Sequence, residues 1–358
     1  MSLDHYRLLG NSGLRVSPIA LGTMTFGNDW GWGADNSVSH QQFERYAELG
    51  GNFIDTANFY TEGTSEKLLG EFLKGRRDKF VLATKYTLNM RPGDPNAGGN
   101  HRKNLFQSLE ASLERLQTDH IDLYWVHMDD GLTPIEETMR ALDDAVRQGK
   151  ILYVGVSDMP AWKVSQANTL AQWRGLSAFI GLQIEYSLIE RTPERDLIPM
   201  AQAFGIGVTP WSPLGQGILS GKYTEADLQP SSEGNGESPP KSEGRHERNK
   251  QNGSLNARTL SIANEAKAIA NEIGDGASAS QVSIAWLLEQ KAVTAPIIGA
   301  RTMEQLDDTL KATEITLTDA HLARLHEVSK IELGFPHDFL QLDFVKGAMS
   351  GNTTTRKR

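Results

Sequence analysis

The sequence predicts an α/β protein built as a (β/α)8 TIM barrel, and three observations carry that prediction. Eight short apolar, β-rich runs alternate with longer segments of helical periodicity. The runs are almost continuously apolar, which is typical of parallel strands buried on both faces. The first run leads into L-G-T-M-T-F-G at residues 21–27, which lacks the G-x-G-x-x-G pattern of an open, doubly wound sheet. The predicted strands span residues 19–21, 53–55, 80–84, 121–126, 151–156, 179–184, 206–209 and 293–298.

The segments between the strands carry helix signals. Residues 134–148 follow Thr133 as a cap, begin with Pro134 in the first turn and end at Gly149. Further helices are predicted to begin at Pro160 and Pro193 and to span residues 278–290. Residues 104–116 carry leucines at the spacing of one helical face, at Leu105, Leu109, Leu113 and Leu116. Regular alternation of this kind fits a closed barrel better than an open sheet.

Three regions interrupt the alternation. Residues 6–16 contain two short apolar runs around the turn G-N-S-G and predict an N-terminal β-hairpin that plugs one end of the barrel. Between the seventh and eighth strands, residues 224–256 are rich in Ser, Gly, Pro, Glu and Asn, a composition that predicts a long, mobile polar loop. Residues 351–358 are predicted to form a disordered tail.

Composition excludes several classes of function. The 358 residues include 36 Lys plus Arg against 45 Asp plus Glu, a net charge of −9, which argues against a nucleic-acid partner. The absence of cysteine excludes disulfides, thiolate metal sites and cysteine nucleophiles, and no metal site is predicted. No apolar run approaches the ~20 residues of a membrane span, and the polar N-terminus does not resemble a signal peptide. We therefore expect a cytoplasmic protein, while nothing in the sequence indicates its oligomeric state.

Four chemically active residues fall where predicted strands end, and such residues face the active site in barrels of this kind. Asp55 ends the second strand with Tyr60 five positions on, Lys85 follows the third, and His127 follows the fourth. An ammonium beside a phenol lowers its pKa and makes it a better acid, a carboxylate orients the ammonium, and an imidazole positions a carbonyl oxygen. Such a set protonates an oxygen that is becoming an alkoxide. Because side chains carry no hydride, the set implies a nicotinamide cofactor.

The motifs around these residues resemble those of the aldo-keto reductases, in particular the bacterial NADP-dependent type. Residues 55–66 read D-T-A-N-F-Y-T-E-G-T-S-E, followed by Leu69-Gly70, and match the signature D-T-A-x-x-Y-x-x-G-x-S-E…L-G. The match continues in order along residues 6–310, with further motifs at residues 22–24, 83–85, 155–157, 182–188, 211–222 and 296–301.

The resemblance implies a single domain over residues 1–358, with NADPH extended across the C-terminal ends of the strands. It implies that Tyr60 is the general acid, that Lys85 and Asp55 tune it, and that His127 orients the substrate. Ser157 and Gln183 correspond to positions that bind the nicotinamide carboxamide. The full set of implied cofactor residues is Gly22, Thr23, Met24, Asp55, Ser157, Asp158, Gln183, Trp211, Ser212, Pro213, Leu214, Gly215, Gly217, Lys222, Gly299, Arg301, Gln305 and Asp308.

Several positions depart from the family pattern. Asp158 stands where the family usually has Asn, Trp211 replaces the commoner Tyr, and Asp308 and Thr309 replace a usual Glu and Asn. Arg301 suits the 2′-phosphate of NADPH because a guanidinium matches phosphate geometry, whereas the acidic residues 307–308 argue against it. On balance the sequence favours NADPH over NADH.

The substrate is the least determined part of the prediction. Trp30 and Trp32, in the loop after the first strand, are candidates for the pocket wall, together with Tyr86, Met128 and residues 335–339. Sugars, aliphatic aldehydes, dicarbonyls and larger ketones all remain open. Two other functions fit parts of the sequence. One is an NADP(H)-binding redox sensor with little turnover, resembling potassium-channel β-subunits. The other is a Schiff-base aldolase that uses Lys85 as its nucleophile.

Overall fold

Eight parallel strands form the barrel in a computed structural model that describes residues 2–228, 249–351 and 353–354. The barrel strands, in chain order, are β3 (Ala20–Gly22), β4 (Phe53–Asp55), β5 (Val81–Tyr86), β6 (Ile121–Val126), β7 (Ile151–Ser157), β8 (Phe179–Glu185), β9 (Gly207–Trp211) and β10 (Ile297–Ile298). Neighbours in sequence are neighbours in the sheet, and β10 pairs with β3. The predicted (β/α)8 architecture is confirmed.

The barrel is nearly closed between β9 and β10. The strand predicted over residues 293–298 is regular only at its end, and its first part meets β9 through two backbone hydrogen bonds. Val208 N donates to Ala292 O at 2.9 Å, and Thr294 N donates to Val208 O at 2.8 Å. These bonds join the last segment of the barrel to β9, so that the carboxyl ends of all eight strands surround one opening. We call this opening the C-terminal mouth.

Helices cover the outside of the barrel. Those with bounds in the described residues are α1 (Asn36–Glu48), α2 (Thr64–Phe72), α3 (Arg102–Leu116), α4 (Ile135–Arg147), α5 (Ala161–Arg174), α6 (Leu197–Phe204), α7 (Ala257–Ile273), α8 (Ala279–Leu288), α9 (Met303–Leu310), α10 (Asp319–Ser329), α11 (His337–Gln341) and α12 (Asp343–Ser350). Ser278 and Gln281 form a capping box at the start of α8, close to the predicted boundary. The helix predicted from Pro193 is instead a 3-10 turn, Thr192–Glu194, followed by α6, because Asp196 leaves the helical region with φ −143°.

One large side chain fills the middle of the barrel. Trp125 on β6 is fully buried, and it lies beside Gly155 on β7 and Gly181 on β8. A Cβ added to Gly155 would lie 2.3 Å from the indole, and one added to Gly181 would lie 2.7 Å from it. The two glycines therefore leave the space that the indole occupies.

Replacing Gly155 with alanine is expected to lower the free energy of unfolding by about 1–3 kcal/mol, the usual penalty of overpacking a core. Urea denaturation measures this loss. Gly13→Ala is the control, because a Cβ there meets nothing within 4 Å. Adding Trp125→Phe to Gly155→Ala makes room for the methyl group, so the double variant should lose less stability than the sum of the single variants. Purely additive losses would contradict this packing.

The predicted hairpin covers the opposite end of the barrel. β1 (Arg7–Leu8) pairs antiparallel with β2 (Arg15–Val16), and Leu9 packs into the barrel interior. Gly10, with φ +54°, fits against the start of β8 and β9, where an added Cβ would lie 2.3 Å from Ile180 O. The hairpin thus closes the end at which the strands begin.

The polar segment predicted over residues 224–256 is described only at its two ends. Thr224 caps a short 3-10 turn, Glu225–Leu228, and Leu255 is buried with Ile218, Tyr223 and Leu260. Residues 229–248 lie outside the described part of the chain, as do residues 352 and 355–358 of the predicted tail. Within the described part, no helix combines the length and apolar character needed to cross a membrane.

Candidate active site

The four residues predicted from the strand ends meet at the C-terminal mouth. Lys85 is fully buried, and its Nζ donates to Asp55 Oδ2 at 2.5 Å, to Thr56 O at 2.8 Å and to Tyr60 OH at 3.1 Å. Its three protons therefore all have acceptors. The ring of His127 meets the ring of Tyr60 edge to face, with centroids 5.9 Å apart. Lys85 is thus fixed between a carboxylate and a phenol, and the imidazole borders that phenol.

The electrostatics of the pair follow from burial. Burial opposes the charge on Lys85, but Asp55 and Tyr60 more than offset it, so the pKa of Lys85 is raised. Burial also raises the pKa of Tyr60, and the charge on Lys85 opposes that rise. The charge on Lys85 thus acts in the predicted direction, while burial and the charge on Asp55 outweigh its effect on the pKa of Tyr60. Tyr60 holds its proton, as a proton donor must.

The imidazole of His127 is neutral around pH 7. Its side chain is 9% exposed, and burial together with the charge on Lys85 lowers its pKa to about 3. A neutral ring can donate one hydrogen bond to a carbonyl oxygen without competing with Tyr60 for the role of acid.

This burial gives a stability prediction. In the unfolded chain His127 titrates near pH 6.5, whereas in the folded protein it stays neutral down to about pH 3. Between these values only the unfolded state binds the proton. As the pH is lowered from 6.5 toward 3, this group therefore lowers the free energy of unfolding by ~1.4 kcal/mol for each pH unit. Urea denaturation at several pH values below 6.5 should show that the free energy of unfolding falls more steeply with decreasing pH for the native protein than for His127→Gln. Parallel curves would contradict the assignment.

Asp55 is also held from across the barrel. Its second oxygen, Oδ1, accepts a hydrogen bond from Gln183 Nε2 at 2.9 Å, which joins β4 to β8. Gln183, which the resemblance assigned to the nicotinamide, therefore also orients the carboxylate that holds Lys85. Ser157 is buried at the end of β7, beside Gln183.

Trp211 and Asp158 lie together at the mouth. The indole Nε1 of Trp211 donates to Asp158 Oδ1 at 3.0 Å, and the indole is half-buried. Asp158 has a left-handed backbone, φ +45°, which Asp and Asn tolerate better than most residues. The hydrogen bond fixes an aromatic ring at the edge of the cavity above the four residues.

The segment after β9 forms a tight turn of left-handed residues. Gly215, Gln216 and Gly217 have φ of 52°, 55° and 89°, and an atom placed as a Cβ on Gly217 would lie 3.5 Å from the ammonium of Lys222. Ser212 holds the turn, since its Oγ accepts from Gln216 N at 3.1 Å. The predicted members Pro213 and Leu214 lie within this segment, buried and half-buried respectively.

The residues predicted for the adenosine end lie beyond β10. Arg301 is exposed, and its backbone N–H donates to Gln305 Oε1 at 3.0 Å. Asp308 accepts from Ser278 Oγ at 3.1 Å and from Gln281 Nε2 at 2.8 Å, so both of its oxygens are engaged. Asp307, the preceding residue, forms an ion pair with Arg45 at 2.8 Å. Asp307 is thus paired with a cation, whereas Asp308 is held by two neutral hydrogen-bond donors that leave its charge in place.

The remaining predicted cofactor residues lie where β3 and β10 end. Gly22 is packed so closely that an added Cβ would lie 2.6 Å from Ile297 Cγ2. Thr23 Oγ1 donates to Asp55 O at 3.1 Å, and Gly299 lies beside Gly22. Met24 is 40% exposed. These residues border the same mouth as Asp55.

Two of the predicted pocket residues form an aromatic cluster. The ring centroids of Trp30 and Trp32 are 5.6 Å apart, and those of Trp30 and Phe59 are 5.9 Å apart. Phe59 directly precedes Tyr60 in the chain, so the cluster lies next to the segment that carries the phenol. We call Trp30, Trp32 and Phe59 the aromatic cluster.

The prediction for Tyr86 is wrong. Tyr86 is fully buried on the opposite face of β5 from Lys85 and stacks on Tyr124 at 5.3 Å, between the barrel and its helices. Met128 is half-buried just beyond His127, and its carbonyl accepts from Asn100 Nδ2. In residues 335–339, Phe335 is 84% exposed, and its ring contacts that of Phe339.

The turn after Tyr60 was missed by the sequence argument. Thr61, Glu62 and Gly63 all have positive φ, of 46°, 56° and 91°. Thr61 Oγ1 donates to Phe26 O at 2.8 Å and accepts from Ser65 N at 3.1 Å, which holds the strained backbone. Gly63 in the matched motif was the available signal that the chain turns sharply here.

A tyrosine, a lysine and an aspartate hydrogen-bonded at the mouth of a (β/α)8 barrel, with Tyr60 half-buried, form a site suited to an oxidoreductase. The chain belongs to the aldo/keto reductase family, whose model matches residues 18–330. It is 38% identical to the norsolorinic acid reductase stcV of Emericella nidulans over 349 residues, 94% of this chain and 85% of that protein. It is 35% identical to an aryl-alcohol dehydrogenase [NADP(+)] of Phanerodontia chrysosporium, over 93% of this chain and 88% of that protein.

Proposed function

We propose that this protein reduces the carbonyl group of aromatic aldehydes or ketones, with NADPH as the reductant. The observation that carries the proposal is the hydrogen-bonded arrangement of Asp55, Lys85 and Tyr60 beside a neutral His127. This arrangement holds a protonated phenol at the mouth, with the ammonium of Lys85 placed to stabilise the phenolate once the proton has been given up.

The residues at the mouth suit a nicotinamide dinucleotide. The half-buried indole of Trp211 offers a flat face, and Lys222 and Arg301 supply positive charge for the phosphates. When bound, the cofactor would supply a hydride, which leaves its nicotinamide ring with one positive charge. The ion pair of Asp307 with Arg45 supports NADPH, because it weakens the repulsion between that carboxylate and a 2′-phosphate. The printed name of the Phanerodontia chrysosporium relative also includes NADP(+).

The chain's own residues complete the reaction. His127 donates a hydrogen bond to the carbonyl oxygen, and Tyr60 gives its phenolic proton to that oxygen as the carbon accepts the hydride. Lys85 stabilises the phenolate that remains, because its Nζ lies 3.1 Å from the phenolic oxygen. Solvent then returns one proton to Tyr60. The products are one alcohol and the oxidised cofactor.

The aromatic cluster supports the substrate class. Three rings beside Tyr60 can hold an aryl group by offset or edge-to-face contacts. The printed name of one relative, aryl-alcohol dehydrogenase [NADP(+)], points the same way.

The direct test mixes the purified protein with NADPH and matched carbonyls, benzaldehyde and naphthaldehyde against butanal and hexanal. Loss of the nicotinamide absorbance should be faster with the aryl aldehydes, and slower when NADH replaces NADPH. Faster turnover of the aliphatic aldehydes would contradict the substrate class. Tight NADPH binding without turnover of any carbonyl would instead support the redox-sensing alternative.

A further inference from the structure

Asp158 is an acidic side chain fixed at the C-terminal mouth. Its backbone N–H donates to Gln183 O at 3.2 Å, and its carbonyl accepts from Asp129 N at 3.2 Å, so both neighbouring strand ends hold it. The indole of Trp211 then fixes its Oδ1. Part of the residue is exposed at the mouth, while neighbouring groups cover much of its carboxylate. It therefore faces the space that a cofactor ring would occupy.

The negative charge of Asp158 has no ion-pair partner in the described residues. The nearby ammonium groups are engaged elsewhere, Lys85 with Asp55 and Lys163 with Asp129, each at 2.5 Å. Burial raises the pKa of Asp158, although hydrogen bonds from Trp211 and Ser157 and the charge on Lys85 oppose this. The pKa of Glu185, on the next strand, is also raised. Burial is the main cause, and the negative charges of Glu190 and Asp158 add to it. The carboxyl groups of Asp158 and Glu185 are thus close enough, on neighbouring strands, to influence each other.

The charge on Asp158 acts where the chemistry takes place. It contributes to the pKa of Tyr60, and the charge on Lys85 in turn contributes to the pKa of Asp158. The reacting carbon lies next to the oxygen that Tyr60 protonates, and a hydride donor must approach that carbon to ~3–3.5 Å. A ring held at that position is therefore within the electrostatic reach of Asp158.

We infer that Asp158 makes this protein bind the oxidised, cationic nicotinamide ring more tightly, relative to the neutral reduced ring, than an uncharged residue would. The inference rests on the proposed function. A fixed carboxylate attracts the positive ring of NADP+ and has no net charge to attract in the ring of NADPH. Hydride donation produces that positive charge, so Asp158 also favours the direction in which a carbonyl is reduced. Asp158 thus acts as a positioning residue for Trp211 and as a source of charge toward the ring.

Asp158→Asn tests the charge alone. Asn keeps an oxygen that accepts from the Trp211 indole and also tolerates the left-handed backbone, so only the charge is removed. The dissociation constants of NADP+ and NADPH are measured by quenching of tryptophan fluorescence and by calorimetry. We expect NADP+ to bind about tenfold more weakly to the variant, with NADPH changed by no more than about twofold. Asp119→Asn, which removes an exposed charge just before β6, should change neither constant.

The outcomes are distinguishable. If Asp158→Asn weakened the binding of NADP+ and NADPH equally, or changed neither dissociation constant, the role of the charge would be overturned and the proposed function would stand. A native protein that binds neither NADP+ nor NADPH would overturn both. Glu185→Gln provides a second variant at the same mouth, and it should shift the ratio of the two constants in the same direction by a smaller factor. High salt should reduce the selectivity of the native protein more than that of Asp158→Asn.

Discussion

Replacing Tyr60 with phenylalanine is expected to lower kcat for carbonyl reduction about 10²–10⁴-fold, the usual contribution of a positioned general acid. The change removes the phenolic proton and little else. Lys85 keeps its bonds to Asp55 at 2.5 Å and to Thr56 O at 2.8 Å, so the rest of the site stays in place. Steady-state oxidation of NADPH gives kcat, and fluorescence titration should show cofactor affinity within about twofold of the native value.

Tyr6→Phe is the matched control for that experiment. The hydroxyl of Tyr6 donates to Gly50 O at 3.0 Å, far from the mouth, and its removal should leave kcat unchanged. Retained turnover in Tyr60→Phe would transfer the role of acid to another group, with His127 the first candidate.

Replacing Lys85 with methionine is expected to lower both activity and stability. Asp55 is 2% exposed, and without the ammonium it keeps Gln183 as its side-chain hydrogen-bond donor but has no cation. Breaking a buried ion pair by removing one partner typically costs about 3–5 kcal/mol, so urea denaturation should show a loss of that size. We expect kcat to fall at least ~10²-fold, because Tyr60 loses the charge that stabilises its phenolate.

Adding Asp55→Asn to Lys85→Met separates the two effects. With no carboxylate left unpaired, the double variant should lose less stability than the two single variants together, while its activity stays low. If the double variant lost as much stability as the two single variants summed, Asp55 and Lys85 would not interact favourably in the folded protein.

The same pair bears on the aldolase alternative. A Schiff base needs a neutral amine, and Asp55 and Tyr60 raise the pKa of Lys85 against the effect of burial. Borohydride treatment with a carbonyl compound is therefore expected to leave Lys85 unmodified, and mass spectrometry of the peptide that contains it would detect an adduct.

The sequence predicted the eight strands and the four residues that meet at the mouth because one physical feature marks both. A buried parallel strand is an apolar run, and the first polar residue after it lies at the mouth. Asp55, Lys85 and His127 were found in this way. Their inward direction also follows, since alternate residues of a strand face the same side.

The residues that the sequence misplaced or missed depend on contacts between distant segments, and the apolar runs of the strands do not reveal such contacts. Applying the same alternation to β5 would have turned Tyr86 outward, because it directly follows the inward Lys85. The bond from Gln183 to Asp55 joins positions 128 residues apart, and no local pattern encodes such a partner. The engagement of Asp308 likewise depends on how α9 packs against the start of α8. These contacts are decided by tertiary packing alone.

The closure of the barrel by β10 also determines when this site comes into existence. During synthesis, the residues of β3 to β9 leave the ribosome well before Ile297 and Ile298, which pair with Ala20 and Leu21. A nascent chain that ends before this point has Asp55, Tyr60, Lys85 and His127 but lacks the strand that joins β3 to the far side of the sheet. We therefore expect cofactor binding to appear late and abruptly on the translating ribosome, after nearly the whole chain has been made.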